Sequence, residues 1–221
     1  MDEAIKALLI TQSFLYSYHS RAFAAKPDES FLDVVQNSYA EESWAMLDGD
    51  GGKGMRHQHL LAASLKESCS LSGLQSEYTK LFVGPAQLPA PPWESVFVSK
   101  EALLFQENTL AVRESYRSAG FQSTGYPHEP DDHVATELSF MAALSKRAME
   151  SFEQGDVDRY RSTLLAQSQF LEEHLLVWIR KFSDRLNEVD GISSFYPSFA
   201  SLAALVCERD AEVTQELLAA A

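Results

Sequence analysis

Apolar residues recur every three or four positions along most of this chain, the spacing that lines one face of an α-helix. Ala4, Leu8, Thr11, Leu15 and Tyr18 predict a first helix over residues 2–24, which Lys26-Pro27-Asp28 breaks. Leu32, Val35 and Tyr39 share the stripe of a second, from about Ser30 to Leu47. Asp48 to Gly54 reads as a flexible turn. A third helix carries Leu61, Leu65 and Cys69, and Ser72-Gly73 separates it from a fourth that ends at Phe82. Gly84 can take a left-handed stop there, and Pro85 cannot continue the helix.

Residues from Gly84 to about Lys100 predict a long loop, because four of the eight prolines (Pro85, Pro89, Pro91, Pro92) fall in it. Loops of that length usually carry function or lack order. Trp93, Val96, Phe97 and Val98 predict that this one docks on the protein. Pro91 and Pro92 fix their own φ and bias their predecessors towards extended geometry, so Trp93 is presented from a stiff backbone. Helices over residues 102–119, about 131–154 and about 157–186 follow, with breaks at Gly120 and at Gly125-Tyr126-Pro127-His128. Leu164, Leu171, Leu175, Trp178 and Phe182 sustain the helical spacing of the last of these. His174 on that apolar helix reads as a core or half-buried histidine with one hydrogen-bond partner. Gly191 interrupts, and a final helix begins near Pro197 or Ser198. No segment alternates apolar and polar residues long enough to demand a strand. The expected fold is all-α, a single helical-bundle domain over residues 1–221.

Composition narrows the class. With 45% hydrophobic and 23% charged residues the chain is an ordinary globular mixture. A formal net charge of −14 argues against nucleic acid, whose phosphates need a basic face, and favours cationic partners. Cys69 and Cys207 are far apart and form no CxxC, so neither a disulfide framework nor a zinc site is expected, and a reducing compartment is. Met1-Asp2-Glu3 does not open a signal peptide. No run approaches ~20 uninterrupted apolar residues, so no membrane span is expected and the protein is placed in the cytoplasm.

Most motif-based chemistry fails on spacing. In Asp48-Gly49-Asp50-Gly51-Gly52-Lys53-Gly54, a calcium loop would need an oxygen ligand where Gly52 stands and a glutamate where His59 stands. A P-loop would need glycine at Leu47 and a hydroxyl at Gly54. None of the six histidines has a glutamate three residues before it, as a carboxylate-bridged bundle metal site requires, and there is no HExxH. No GxSxG elbow is present. No metal site or catalytic nucleophile is therefore assigned.

Three clusters remain. Glu77-Tyr78-Thr79-Lys80-Leu81-Phe82-Val83-Gly84-Pro85 ends a helix, and Pro91-Pro92-Trp93-Glu94-Ser95 is the stiff aromatic loop. Glu129-Pro130-Asp131-Asp132-His133 reads as a helix start, with Pro130 at the first helical position and the aspartates on the positive end of the dipole. Read plainly, that acidic run is helix-terminus dressing with His133 paired to Glu137. Its functional reading is a cation-binding rim beside Trp93, since carboxylates accept paired bonds from guanidinium and aromatic faces stack on it. A rival from another class is a small helical enzyme using His133 with Asp132 or Glu137 as an acid/base pair. A third is an adaptor that docks an enzyme subunit.

The three clusters, together with Leu103-Leu104-Phe105, Asn108-Thr109-Leu110-Ala111-Val112-Arg113, Glu137-Leu138-Ser139-Phe140-Met141, Phe170-Leu171-Glu172-Glu173-His174-Leu175, Trp178 and Phe195-Tyr196-Pro197-Ser198-Phe199, resemble the TorD/DmsD family of redox-enzyme maturation chaperones. The resemblance runs from about residue 75 onward. One departure is Val134-Ala135, where the family more often has a bulky residue and then glycine. The resemblance implies an all-helical, non-enzymatic chaperone, either monomer or domain-swapped dimer. Its partners would be a twin-arginine leader and the apo catalytic subunit of a molybdopterin-dependent oxidoreductase, held until cofactor insertion and then released for export. It implies no cofactor of its own beyond weak guanine-nucleotide binding. The implied leader site is Tyr78, Leu81, Phe82, Pro92, Trp93, Glu94, Ser95, Glu129, Asp131, Asp132 and His133, with the apolar members lining a groove and the acids drawing in the arginines.

Overall fold

Helix α1 (Asp2–Ala24) runs through the middle of the molecule and packs along α8 (Val134–Glu153) on one side and α11 (Phe195–Ala220) on another. The computed structural model describes residues 2–48, 52–68, 70–98, 107–123 and 130–221, with backbone only for 66–68. The Leu103-Leu104-Phe105 cluster, the Gly125–His128 break, Glu129 and Cys69 lie outside the described residues. Between α1 and α8 come α2 (Glu29–Gln36), α3 (Ser38–Asp48), α4 (Lys53–Ser68), α5 (Leu71–Tyr78), the single-turn α6 (Glu94–Val98) and α7 (Glu107–Ser118). After α8 come α9 (Val157–Phe170) and α10 (Leu176–Asn187). Among the described residues there is no strand, and no helix is long and apolar enough to cross a membrane.

The predicted stripes become the core. Leu15, Tyr16 and Phe23 of α1 meet Leu138, Met141 and Leu144 of α8 and Phe195, Tyr196, Phe199 and Leu202 of α11, all buried in one continuous cluster. α4 reaches this core over Trp44 of α3. A Cβ at Gly54 would collide with the Trp44 indole, so the glycine read as part of a flexible turn permits a close helix approach.

Several features differ from the sequence expectation, and α11 also starts two residues early, at Phe195. The helix expected from Ser30 to Leu47 is two helices, because Asn37 turns extended (φ −79°, ψ 145°) and its side chain accepts from the Tyr39 amide. Ser72-Gly73 does not separate helices; Ser70 caps α5 by accepting from the Gly73 amide, so both residues lie in its first turn. Two helical runs contain π-helical turns, at Thr79–Val83 and Leu171–Leu175, which apolar periodicity does not announce. The long loop also holds the single turn of α6. The chain leaves the first π turn at Gly84, whose φ of 95° suits glycine.

Candidate functional site

The loop before α6 and the residues before α8 pair as a two-residue antiparallel bridge. The Glu94 amide donates to the Asp132 carbonyl (3.0 Å) and the Val134 amide to the Pro92 carbonyl (2.9 Å), which sets Trp93 opposite His133. Their rings meet edge to face with centroids 5.7 Å apart. This pairing explains why α8 starts later than expected. His133 must be extended (φ −76°, ψ 135°) to form the bridge, so it becomes the N-cap, and Pro130, Asp131 and Asp132 lie outside the helix. Its Nδ1 accepts from the Ala135 amide at 3.1 Å, which leaves the ring proton on Nε2. Burial lowers the His133 pKa to about 4.

The acidic residues point inwards. Asp132, fully buried, accepts from the Ser95 amide (2.9 Å) and the Thr109 hydroxyl (3.0 Å). Asp131 accepts from Arg113 Nε at 2.5 Å. Tyr116 donates to the Asp131 carbonyl at 2.9 Å. The expected open rim of carboxylates is therefore corrected: in this state Asp131 and Asp132 hold the loop, α7 and the start of α8 together. For the His133–Asp132 form of the enzyme reading, His133 Nδ1 is taken by the α8 cap and the Asp132 oxygens serve Ser95 and Thr109.

Two further carboxylates sit behind them. Glu94 accepts from His174 Nδ1 at 3.1 Å, and His174 Nε2 lies 3.1 Å from the Ser115 hydroxyl. Glu137 accepts from the Trp178 indole at 3.0 Å. Burial, then the charges of Glu94 and Asp132, push the Glu137 carboxyl well above the usual range, although the Trp178 bond pulls the other way. Its other oxygen has no hydrogen-bond partner among the described residues. Burial and the same four carboxylates, Glu137, Asp131, Asp132 and Glu94, raise the Tyr116 hydroxyl well above its ordinary value.

The site residues named from sequence thus fall into two sets. Pro92, Trp93, Glu94, Ser95, Asp131, Asp132 and His133 meet at the bridge, with only Trp93 half-buried and the others buried. Tyr78, Leu81 and Phe82 are buried elsewhere. Phe82 packs edge to face on Phe23 and Tyr196, and the Tyr78 hydroxyl donates to the Phe23 carbonyl at 3.0 Å. Sequence reasoning missed Arg113, Thr109, Tyr116 and the role of His174. The available signal for His174 was a histidine inside an apolar stripe, and it sits in the second π turn, a feature frequent at functional sites.

Comparison with known proteins adds the following. Residues 52–184 match the model of the nitrate reductase delta subunit family. The chain is 32% identical over 204 residues to the Tat proofreading chaperone DmsD of Salmonella typhimurium, covering 92% of this chain and 86% of that one. It is 32% identical over 140 residues to the chaperone protein TorD of Vibrio vulnificus, covering 63% of each. A solved structure described as a proposed redox enzyme maturation protein of Archaeoglobus fulgidus shares the fold, with a TM-score of 0.53 over 89% of this chain and 93% of that one at 23% identity.

Proposed function

The chain belongs to the TorD/DmsD family of redox-enzyme maturation chaperones, and from that membership we propose that it binds the twin-arginine leader of a molybdopterin-dependent oxidoreductase. In this reading it acts in the cytoplasm, holding the apo catalytic subunit until its cofactor is in place and then releasing it for export. It recognises a partner and performs no chemistry of its own.

The observation that carries the reading is the half-buried Trp93, held against His133 by two backbone hydrogen bonds on a proline-stiffened loop. A rigid aromatic that keeps part of its face in solvent loses little freedom on binding and suits an interface anchor. Asp132, Glu94 and Ser95 act from behind, fixing the loop. Tyr78, Leu81 and Phe82 lie in the buried core and support the fold from within. The chain's net charge of −14 draws a basic leader towards the surface.

Calorimetry with a synthetic leader tests this. The wild type should bind an Arg-Arg leader more tightly than its Lys-Lys counterpart, and Trp93→Ala should weaken binding by ~2 kcal/mol with the fold intact. Absence of leader binding by the wild type would leave an adaptor that docks the enzyme body alone.

A further inference from the structure

Two hollows beside the start of α8 share a wall. The larger, about 380 Å³, has a floor of small residues, Ser20 and Ala24 from α1 with Ala135, Ser139 and Ala143 from α8. Tyr116 and Phe121 form its side. The smaller, about 110 Å³, also lies against Tyr116 and Phe121 and ends on Arg113, Arg117 and Asp131. They adjoin through Tyr116, Phe121, Gln122 and Ser123, the larger mostly apolar in surface and the smaller lined by charged side chains.

At the charged end the chain answers its own acid. The Asp131 side chain is 2% exposed and Arg113, its partner, is 20% exposed. Arg113 is the donor to the Asp131 carboxylate, and without it that carboxylate would be an uncompensated buried charge. Arg117 stands one helical turn beyond Arg113 and lines the same hollow. A leader offers the same chemistry in the same order: guanidinium groups next to an apolar stretch.

We propose that Arg113 is a placeholder. In the free protein it occupies the subsite that a leader arginine takes, and the leader enters by exchanging one guanidinium for another on Asp131 while its apolar stretch lies in the larger hollow. The inference rests on the leader-binding reading above. Exchange keeps the carboxylate neutralised before and after, so a buried acid can read arginine without ever standing open to solvent. It also selects arginine over lysine, since a point-charge ammonium lacks the planar guanidinium whose Nε–H donates to Asp131. The competing account makes Arg113–Asp131 a permanent structural pair.

The test uses the full chain and Arg113→Met, which keeps an unbranched apolar stem and removes the guanidinium. The variant should bind the Arg-Arg leader at least tenfold more tightly than wild type and gain nothing for the Lys-Lys leader. Millimolar acetyl-arginine amide should raise the melting temperature of the variant and leave that of the wild type unchanged. Equal or weaker Arg-Arg affinity in a variant folded by circular dichroism overturns the proposal. If Arg113→Met does not fold, Arg113→Lys keeps the charge with a weaker hold, and it should raise Arg-Arg affinity several-fold; no rise overturns the proposal. Wild-type binding to the leader combined with a silent variant removes the placeholder alone. A wild type that binds neither leader removes the leader reading with it.

Discussion

Among the described residues, carboxylates are buried in two places and treated differently. Asp210 of α11 accepts from Tyr16 at 2.6 Å and from Gln12 across the α1 interface, with Thr214 one turn along its own helix at 3.3 Å. Every donor is neutral and sits on one of two long helices. Burial raises Asp210 to about 6 while those bonds pull it back. The site behind Trp93 gathers Glu94, Asp131, Asp132 and Glu137 from the single turn of α6, a pre-helix turn and a helix, and leaves Glu137 Oε1 and Ser95 Oγ without a partner. The first place has its acid satisfied by the scaffold. The second has more acid than its donors satisfy, held by segments that meet only at their ends. Surplus buried charge of that kind marks functional sites more often than scaffolds.

Truncation should separate the two most strongly. Asp210→Ala strands Gln12 and Tyr16 and should cost about 3–5 kcal/mol in urea unfolding. Leader affinity of the folded fraction should not change. Asp132→Ala strands the Ser95 amide and the Thr109 hydroxyl, costs about 2–4 kcal/mol, and should also lower leader affinity tenfold or more by freeing the Trp93 loop. Equal leader affinities in the two variants would erase the distinction between scaffold and site.

Acid should act on His133 and on Asp210 with opposite signs. The pKa of His133 is about 4 in the fold, below its ordinary 6.5, so the unfolded chain takes up the proton first. Stability present above the ordinary value is lost as pH falls towards the folded one. Buried His19, also lowered to about 4 by burial, adds to this limb. Asp210 runs the other way, since its folded pKa of about 6 lies above 3.8 and stability declines as pH rises through that window. His133→Asn keeps a capping oxygen and does not titrate. It should remove about 2 kcal/mol of the loss between pH 7 and 5, leaving the His19 share. An unaltered pH profile would mean that His133 is not held neutral.

A smaller effect sharpens the contrast. Glu137→Gln imitates a carboxyl that already holds its proton, keeps an acceptor for Trp178, and should be neutral or stabilising by up to about 1 kcal/mol. Asp210→Asn turns an amide donor towards three donors and should destabilise by about 1–2 kcal/mol. Matching losses in both would show that Glu137 is ionised.

The helical fold was legible because burial follows apolar spacing, as in α1, whose predicted limits 2–24 match Asp2–Ala24. What stayed hidden depends on partners distant in sequence. Nothing near residue 133 announces that His133 will be extended, because the cause is Trp93, and nothing near His174 announces Glu94. Asn37 hid for a different reason: the stripe of Leu32, Val35 and Tyr39 passes straight over the break, and a capping amide does not disturb an apolar pattern. The two segments that meet at the bridge were both visible as unusual strings. Their inward-facing acids were not, since aspartates before a helix look the same whether they face water or Arg113.

The paired backbone at Trp93 and His133 also works as a clock. Three amide protons, those of Glu94, Ser95 and Val134, are held by the same short clasp, two across the bridge and one on the Asp132 side chain. None of them can reach deuterated water until the loop lifts, and one lift frees all three, so they should share one opening free energy. That shared opening reports how often the Trp93 loop lets go, and a partner bound to it should slow all three by one common factor.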